Sequence, residues 1–207
     1  MQNCIFTNNS CQTGDGKNTV FVKFNANGSK FYACTFANNE NSTDRTVLFE
    51  WGSGTLKNCL FWGNAGGDIG AGDAGNPPIA TYCGFDSNQS SQLFYSTGCI
   101  STLTAGNTFI NPTTFRGVAS TEGQKTESAN ANWNLKTASP AIGAGSNLSG
   151  ANVTTDITGV TRGIPDDLGA FKYNSIATDI VEKTTNYTVN SIDGQIILRN
   201  IPVGEKV

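Results

Sequence analysis

The residues able to do chemistry are few and scattered. The chain holds no histidine, which removes the commonest general base and the commonest zinc ligand. Asp166-Asp167 has the form of a carboxylate pair, and a glycosidase needs two carboxyl groups about 5–10 Å apart. The pair follows Pro165, where acidic residues serve solvation and turn bonding, and that reading is preferred. Asp68 and Asp73 stand in the Gly-rich stretch Gly66–Gly75, which reads as a flexible insertion able to hold Ca²⁺ weakly; no other cofactor and no built metal site is expected. Its Gly70-x-Gly72-x-x-Gly75 spacing has no strand-to-helix context and is not read as a nucleotide motif. Arg45 and Arg116 precede the closing part of the chain without the carboxylate pattern of a catalytic centre. In Cys59-Leu60-Phe61-Trp62 the alternation sends Trp62 outward, so an exposed ring beside the Gly-rich loop is expected, a platform on which a sugar can stack. Trp62, Asp68 and Asp73 are therefore the candidate ligand-binding residues, and no catalytic residue is assigned.

The elements that must carry these residues follow from an internal repeat. Asn3-Cys4-Ile5-Phe6-Thr7-Asn8-Asn9 recurs as Ala33-Cys34-Thr35-Phe36-Ala37-Asn38-Asn39, as Asn58-Cys59-Leu60-Phe61-Trp62-Gly63-Asn64 and loosely as Tyr82-Cys83-Gly84-Phe85-Asp86-Ser87-Asn88. A second strip, Thr19–Phe24, aligns with Thr46–Trp51, placing Lys23 beside Glu50 and Phe24 beside a buried Trp51. Both strips alternate with period two and are rich in β-branched and aromatic residues, as short strands with one buried face require. Asn and Gly after each strip tolerate the left-handed backbone of a sharp bend. In-phase strands at a period of 20–50 residues predict an all-β chain, a right-handed parallel β-helix with Cys4, Cys34, Cys59 and Cys83 in one interior column and Phe6, Phe36, Phe61 and Phe85 in another. An antiparallel sandwich also fits short strands, but it would not require Cys and Phe to recur in phase. Side chains in register on parallel strands lie about 4.8 Å apart, too far for disulfides, so the four are expected to be buried thiols. Cys11 and Cys99 fall outside this column, and their pairing is left open.

Composition limits the partners. The chain has 24 Asn, 25 Thr, 16 Ser and 24 Gly, which disfavours long helices, while 12 Phe, 5 Tyr and 3 Trp supply enough apolar burial to fold. A net charge of -3 offers no basic footprint for nucleic acid. No apolar run approaches the roughly 18 residues of a membrane span.

From Asn107 the chain reads Asn-Thr-Phe-Ile-Asn-Pro, then Ser139-Pro140-Ala141-Ile142-Gly143-Ala144-Gly145, then Asp156-Ile157-Thr158-Gly159-Val160-Thr161-Arg162, then Asp167-Leu168-Gly169-Ala170-Phe171. This succession resembles the end of the right-handed parallel β-helix repeat proteins of the bacterial surface-exposed choice-of-anchor type. The likeness covers roughly 107–172, with Gly143 in place of the usual Asp and Phe171-Lys172 in place of Tyr-Glu. It implies a secreted or cell-surface bacterial protein, in a family ranging from adhesin-like members to parts of polysaccharide-degrading systems. The blocks suit the last coils of a solenoid, with Arg162 and Asp156 pairing across a surface turn. Thr188–Leu198 reads as a hairpin turning at Asp193-Gly194, the opening of a small carboxy-terminal sorting or anchoring β-domain.

The expected organisation is thus a parallel β-helix over 1–173, with further rungs expected on its amino-terminal side, and a linker with the first strands of a β-sandwich over 174–207. The expected function is noncatalytic binding of a polysaccharide or cell-surface glycan. The alternatives are a fragment of a polysaccharide lyase or glycoside hydrolase with a pectate-lyase-like fold, and a structural stalk.

Overall fold

The computed structural model describes residues 1–11, 21–24, 28–40, 46–49, 54–71, 78–86, 94–95, 97–174, 188–192 and 195–199. Within Met1–Tyr173, the first of two compact units, the fold is strand-rich with parallel sheets. One sheet holds β1 (Ile5–Thr7), β4 (Thr35–Ala37), β7 (Leu60–Trp62) and β10 (Gly84–Phe85). A second holds β2 (Phe21–Phe24), β5 (Val47–Phe49) and β8 (Ile69–Ala71), and a third β3 (Ser29–Tyr32), β6 (Gly54–Lys57), β9 (Ile79–Thr81) and β11 (Phe94–Tyr95). The chain visits the sheets in this order and then returns to the first, and the strands within each sheet run parallel.

Register follows the repeat. Phe6 lies opposite Phe36, Phe36 opposite Phe61 and Phe61 opposite Phe85, and their rings stack at centroid distances of 4.9, 4.8 and 5.3 Å. Cys34, Cys59 and Cys83 join them in a core closed by Phe31, Leu56, Ile69 and Ala80 from the other two sheets, with Cys4 and Phe6 half-buried at one end. Each buried Phe contributes about 1.5–3 kcal/mol and each ring pair about 0.5–1.5 more. The bends on either side of the first sheet are left-handed. Asn3, Ala33, Asn58, Tyr82 and Gly98 precede the five cysteines of the repeat with φ between 49 and 83°, and Asn8, Asn38 and Gly63 follow the strands with φ of 54, 50 and 66°. Outside the bends, Asn9 Nδ2 donates to Asn39 Oδ1 and Asn39 Nδ2 to Asn64 Oδ1, both at 2.9 Å, forming an amide ladder beside the Phe column.

The structure corrects several expectations. Cys99 belongs to the core: the Gly84–Ile100 bridge sets it opposite Cys83. All six cysteines are thiols. In the second sheet Phe21 lies opposite Val47, Lys23 opposite Leu48 and Phe24 opposite Phe49, with a register shift between Phe21 and Lys23. Phe21 is already one position off its expected partner Leu48 and the shift after it adds a second, so Lys23 and Phe24 lie opposite Leu48 and Phe49 rather than the expected Glu50 and Trp51. Glu50 and Trp51 lie outside the described residues. The Gly-rich stretch is no simple insertion, since it contains β8.

The largest correction concerns the carboxy-terminal part of this unit, which among the described residues adds no strand to the three parallel sheets. It lies across the outer face of the first sheet. Leu60, Ala37 and Trp62 from that face pack against Leu103, Phe109, Trp133, Leu135, Ala141 and Leu168 in a second core. The bends anchor this cover, because Asn side chains at left-handed positions donate to its carbonyls: Asn3 to Thr155 at 2.7 Å, Asn8 to Phe115 at 3.0 Å, Asn38 to Thr113 at 2.6 Å and Asn58 to Ser146 at 2.7 Å. The cover contains the antiparallel pair β12 (Phe109–Asn111) and β13 (Asn132–Leu135). It also contains the helix α1 (Glu122–Ala129), which starts at a Thr121–Gln124 capping box. The closing block docks through Gly169 N–H on Asn58 O at 2.8 Å and Ala170 N–H on Thr35 Oγ1 at 2.9 Å.

Among the described residues of the second unit, Asn174–Val207, β14 (Thr188–Ile192) pairs antiparallel with β15 (Gln195–Arg199), Ile192 opposite Gln195.

Candidate functional site

Where the cover meets the ends of the first sheet it leaves a cleft of about 990 Å³. Trp62 forms part of its wall but is only 6% exposed. This corrects the expectation of a free sugar-stacking ring. Trp62 does point out of the first core, as its position predicts, but the outer face is covered. Phe109 and Trp133 meet it edge-on, with centroids at 5.5 and 6.2 Å.

The polar wall comes from both layers. Gly63, in the left-handed bend after β7, donates its N–H to Asp86 Oδ2 and accepts from Arg116 Nε. One residue thus holds a carboxylate on its N–H and a guanidinium on its carbonyl in the same cleft. A side chain at Gly63 would run into the Asn38 amide, which would have to shift, on a backbone whose φ of 66° already favours glycine. Glu40 lines the cleft, its Oε2 3.5 Å from the Ser10 hydroxyl. Ser101, Thr102 and Thr104 bring hydroxyls from the start of the cover. Opposite them Thr114 donates its N–H and, at 3.2 Å, its hydroxyl to Glu127 on α1. Asn38 binds Thr113 through both its carbonyl and its hydroxyl, the latter at 2.9 Å.

Asp68 is not a loop ligand. It is fully buried, its Oδ1 accepts from Asn64 Nδ2 at 3.0 Å, and its Oδ2 has no hydrogen-bond partner. Burial pushes its carboxyl well above the usual range, reinforced by the negative charge of Asp86 and opposed by the Asn64 amide. Asp73 lies outside the described residues. Of the three residues predicted from sequence, the structure places only Trp62 at the cleft. Glu40, Asp86 and Arg116 were missed as a group. The one available signal was that Asp86 shares the outward position of Trp62 in the repeat.

The carboxylate pair Asp166-Asp167 is buried rather than solvated. Arg162 ion-pairs with Asp166 at 3.2 Å, the two side chains 3% and 1% exposed, so its partner is not Asp156. Burial pushes the Asp166 carboxyl up, against the pull of Arg162. Asp167 accepts from Gly143 N–H at 2.7 Å, Lys172 Nζ at 2.8 Å and Tyr173 N–H at 2.7 Å. Asp156 instead binds the turn that follows it, through Thr158 and Val160, and Lys172 N–H. Both carboxylates of the pair are therefore occupied in tying the closing block together. Among the described residues no group of three or more Cys, Asp or Glu is placed to hold a metal ion, and no helix is long and apolar enough to cross a membrane. Comparison with protein-family models, with curated proteins and with solved structures returned no match to this chain.

Proposed function

We propose that the chain is a noncatalytic, secreted or cell-surface protein whose three sheets form a right-handed parallel β-helix, and that it binds a glycan in the cleft beside Trp62. The cyclic order of the parallel strands supports the helix, and parallel crossovers are right-handed in about 98% of cases. The hairpin of the second unit is read as the first strands of an anchoring domain, in line with the choice-of-anchor resemblance.

The observation that carries the binding reading is the cleft itself. It sets hydroxyls, an amide, the Trp62 edge and both signs of charge around a volume within the usual range of about 300–1,000 Å³ for ligand pockets. Asp86 and Arg116 are engaged by the backbone N–H and carbonyl of Gly63, which suits them to orienting sugar hydroxyls rather than to exchanging protons. Titration with neutral and uronate oligosaccharides, followed by amide chemical shifts, tests this. The expected result is about millimolar affinity, near 4 kcal/mol, with shifts confined to 101–104 and 113–116. Shifts elsewhere, or none, overturn the reading.

One observation favours a second reading, a fragment of a polysaccharide lyase or glycoside hydrolase: Glu40, Asp86 and Arg116 line the same cleft. Release of unsaturated or reducing-end products above a heat-denatured control, lost in Glu40→Gln, would establish it in place of the first.

A further inference from the structure

Among the described residues two buried side-chain polar atoms lack a hydrogen-bond partner, Thr46 Oγ1 and Asp68 Oδ2. They are neighbours. Val47 of β5 lies opposite Ile69 of β8, and Thr46 N–H donates to Gly67 O at 2.9 Å, so the register brings Thr46 beside Asp68. Side chains at matching positions of parallel strands stand about 4.8 Å apart and point the same way. Both residues are fully buried. Leaving such atoms unmatched forfeits the hydrogen bonds they make to water in the unfolded chain and so costs stability.

We infer that Asp68 is held as the neutral acid, its Oδ2 hydroxyl donating to Thr46 Oγ1, so that one proton latches the Asn9–Asn39–Asn64 ladder to the β5–β8 pair. The two unmatched atoms, which do not bond each other as placed, become partners when the Thr46 side chain turns toward Asp68; a Thr46 hydroxyl donating to an ionised Oδ2 would match them as well, and it is the lack of a counter-charge that puts the proton on Asp68. Oδ1 keeps its bond from Asn64, and the amide ladder ends on a carboxyl group that acts as both acceptor and donor. The ionised form is disfavoured from both sides. No cation pairs with Asp68 among the described residues, and the charged group acting on it, Asp86 beyond β10, is an anion. Burial of a lone carboxylate without a counter-charge is resolved by taking up a proton.

The sign of the pH dependence follows. A carboxyl group raised in the folded state contributes its full stability below the unfolded value of about 3.9, and that contribution is lost as pH rises through the folded value. Asp68→Asn keeps the acceptor and places an N–H₂ donor toward Thr46 without needing a proton. Denaturant unfolding from pH 4 to 9 is therefore expected to show the folding equilibrium of the unaltered chain falling relative to Asp68→Asn by up to about tenfold per pH unit. Parallel pH profiles overturn the latch. Should Asp68→Asn fail to fold, infrared spectra of the unaltered chain and of Thr46→Val decide. A protonated-carboxyl band at neutral pH that shifts in Thr46→Val supports the latch, and a missing band or one unmoved by Thr46→Val refutes it.

Discussion

Arg162 reaches across 159 residues to the first circuit of the repeat, its Nη2 donating to Asn3 Oδ1 at 2.9 Å. The same nitrogen donates to Gly169 O at 2.8 Å, and Nη1 pairs with Asp166, whose Oδ2 in turn lies 3.3 Å from Asn58 Nδ2. One guanidinium thus joins bends of the first and third circuits to the closing block.

Removing that guanidinium leaves Asp166 buried and uncompensated. Arg162→Met is expected to cost about 3–5 kcal/mol in chemical denaturation. The double variant Arg162→Met with Asp166→Asn is expected to recover part of the loss. Equal loss in both would mean that packing, not charge, dominates at this position.

Trp62→Ala tests the cover directly. A ring buried against Phe109 and Trp133 is expected to cost about 3–5 kcal/mol when truncated, whereas an exposed ring costs within about 0.5 kcal/mol. Thermal unfolding of the variant separates the two.

Asp156 titrates in the opposite sense to Asp68. Burial works against its charge, but the N–H of Lys172 and the bonds from Thr158 and Val160 hold its carboxyl below the usual range. Its contribution is present above the unfolded value, about 3.9, and is lost as pH falls through the lower folded value. Asp156→Asn is therefore expected to destabilise the chain at neutral pH, with the difference shrinking below about pH 4. A difference that is constant down to pH 2 would contradict this.

Thiol titration of the denatured, unreduced chain is expected to find six thiols. In the native state Cys99 is expected to alkylate before the other members of the column. It is half-buried, the Cys83 N–H donates to its sulfur at 3.4 Å, and its interactions with the Cys83 side chain and backbone bring it down to about 7, while burial pushes Cys59 and Cys83 up. Mass spectrometry after brief iodoacetamide exposure at pH 7 reads the order. Modification of Cys59 or Cys83 first would show that the column opens more readily than its packing implies.

The Cys and Phe columns were legible in the sequence because a period-two strip recurring in phase leaves one arrangement in which the same residues always face inward. The Asn bends were legible for a local reason, since Asn tolerates a left-handed backbone better than most residues do. Even Trp62 was placed on the correct side of its strand. Cys99 was misplaced because its circuit is short, only 16 residues after Cys83, and lacks the Phe that marks the others. The register of Lys23 failed because neither the one-residue offset at Phe21 nor the further shift after it leaves a mark in a count of positions.

The outer layer was decided by tertiary structure alone. Alternation states which face a side chain takes, not whether that face meets water or another layer. The contacts that bury Trp62, pair Arg162 with Asp166 and set Glu40, Asp86 and Arg116 around one cleft join segments with no common period. Asp68 shows the same division at one residue. Its glycine-rich neighbours describe a loop, yet the pairing of β8 with β5 places it beside Thr46 in the interior, where desolvation rather than local sequence governs its charge.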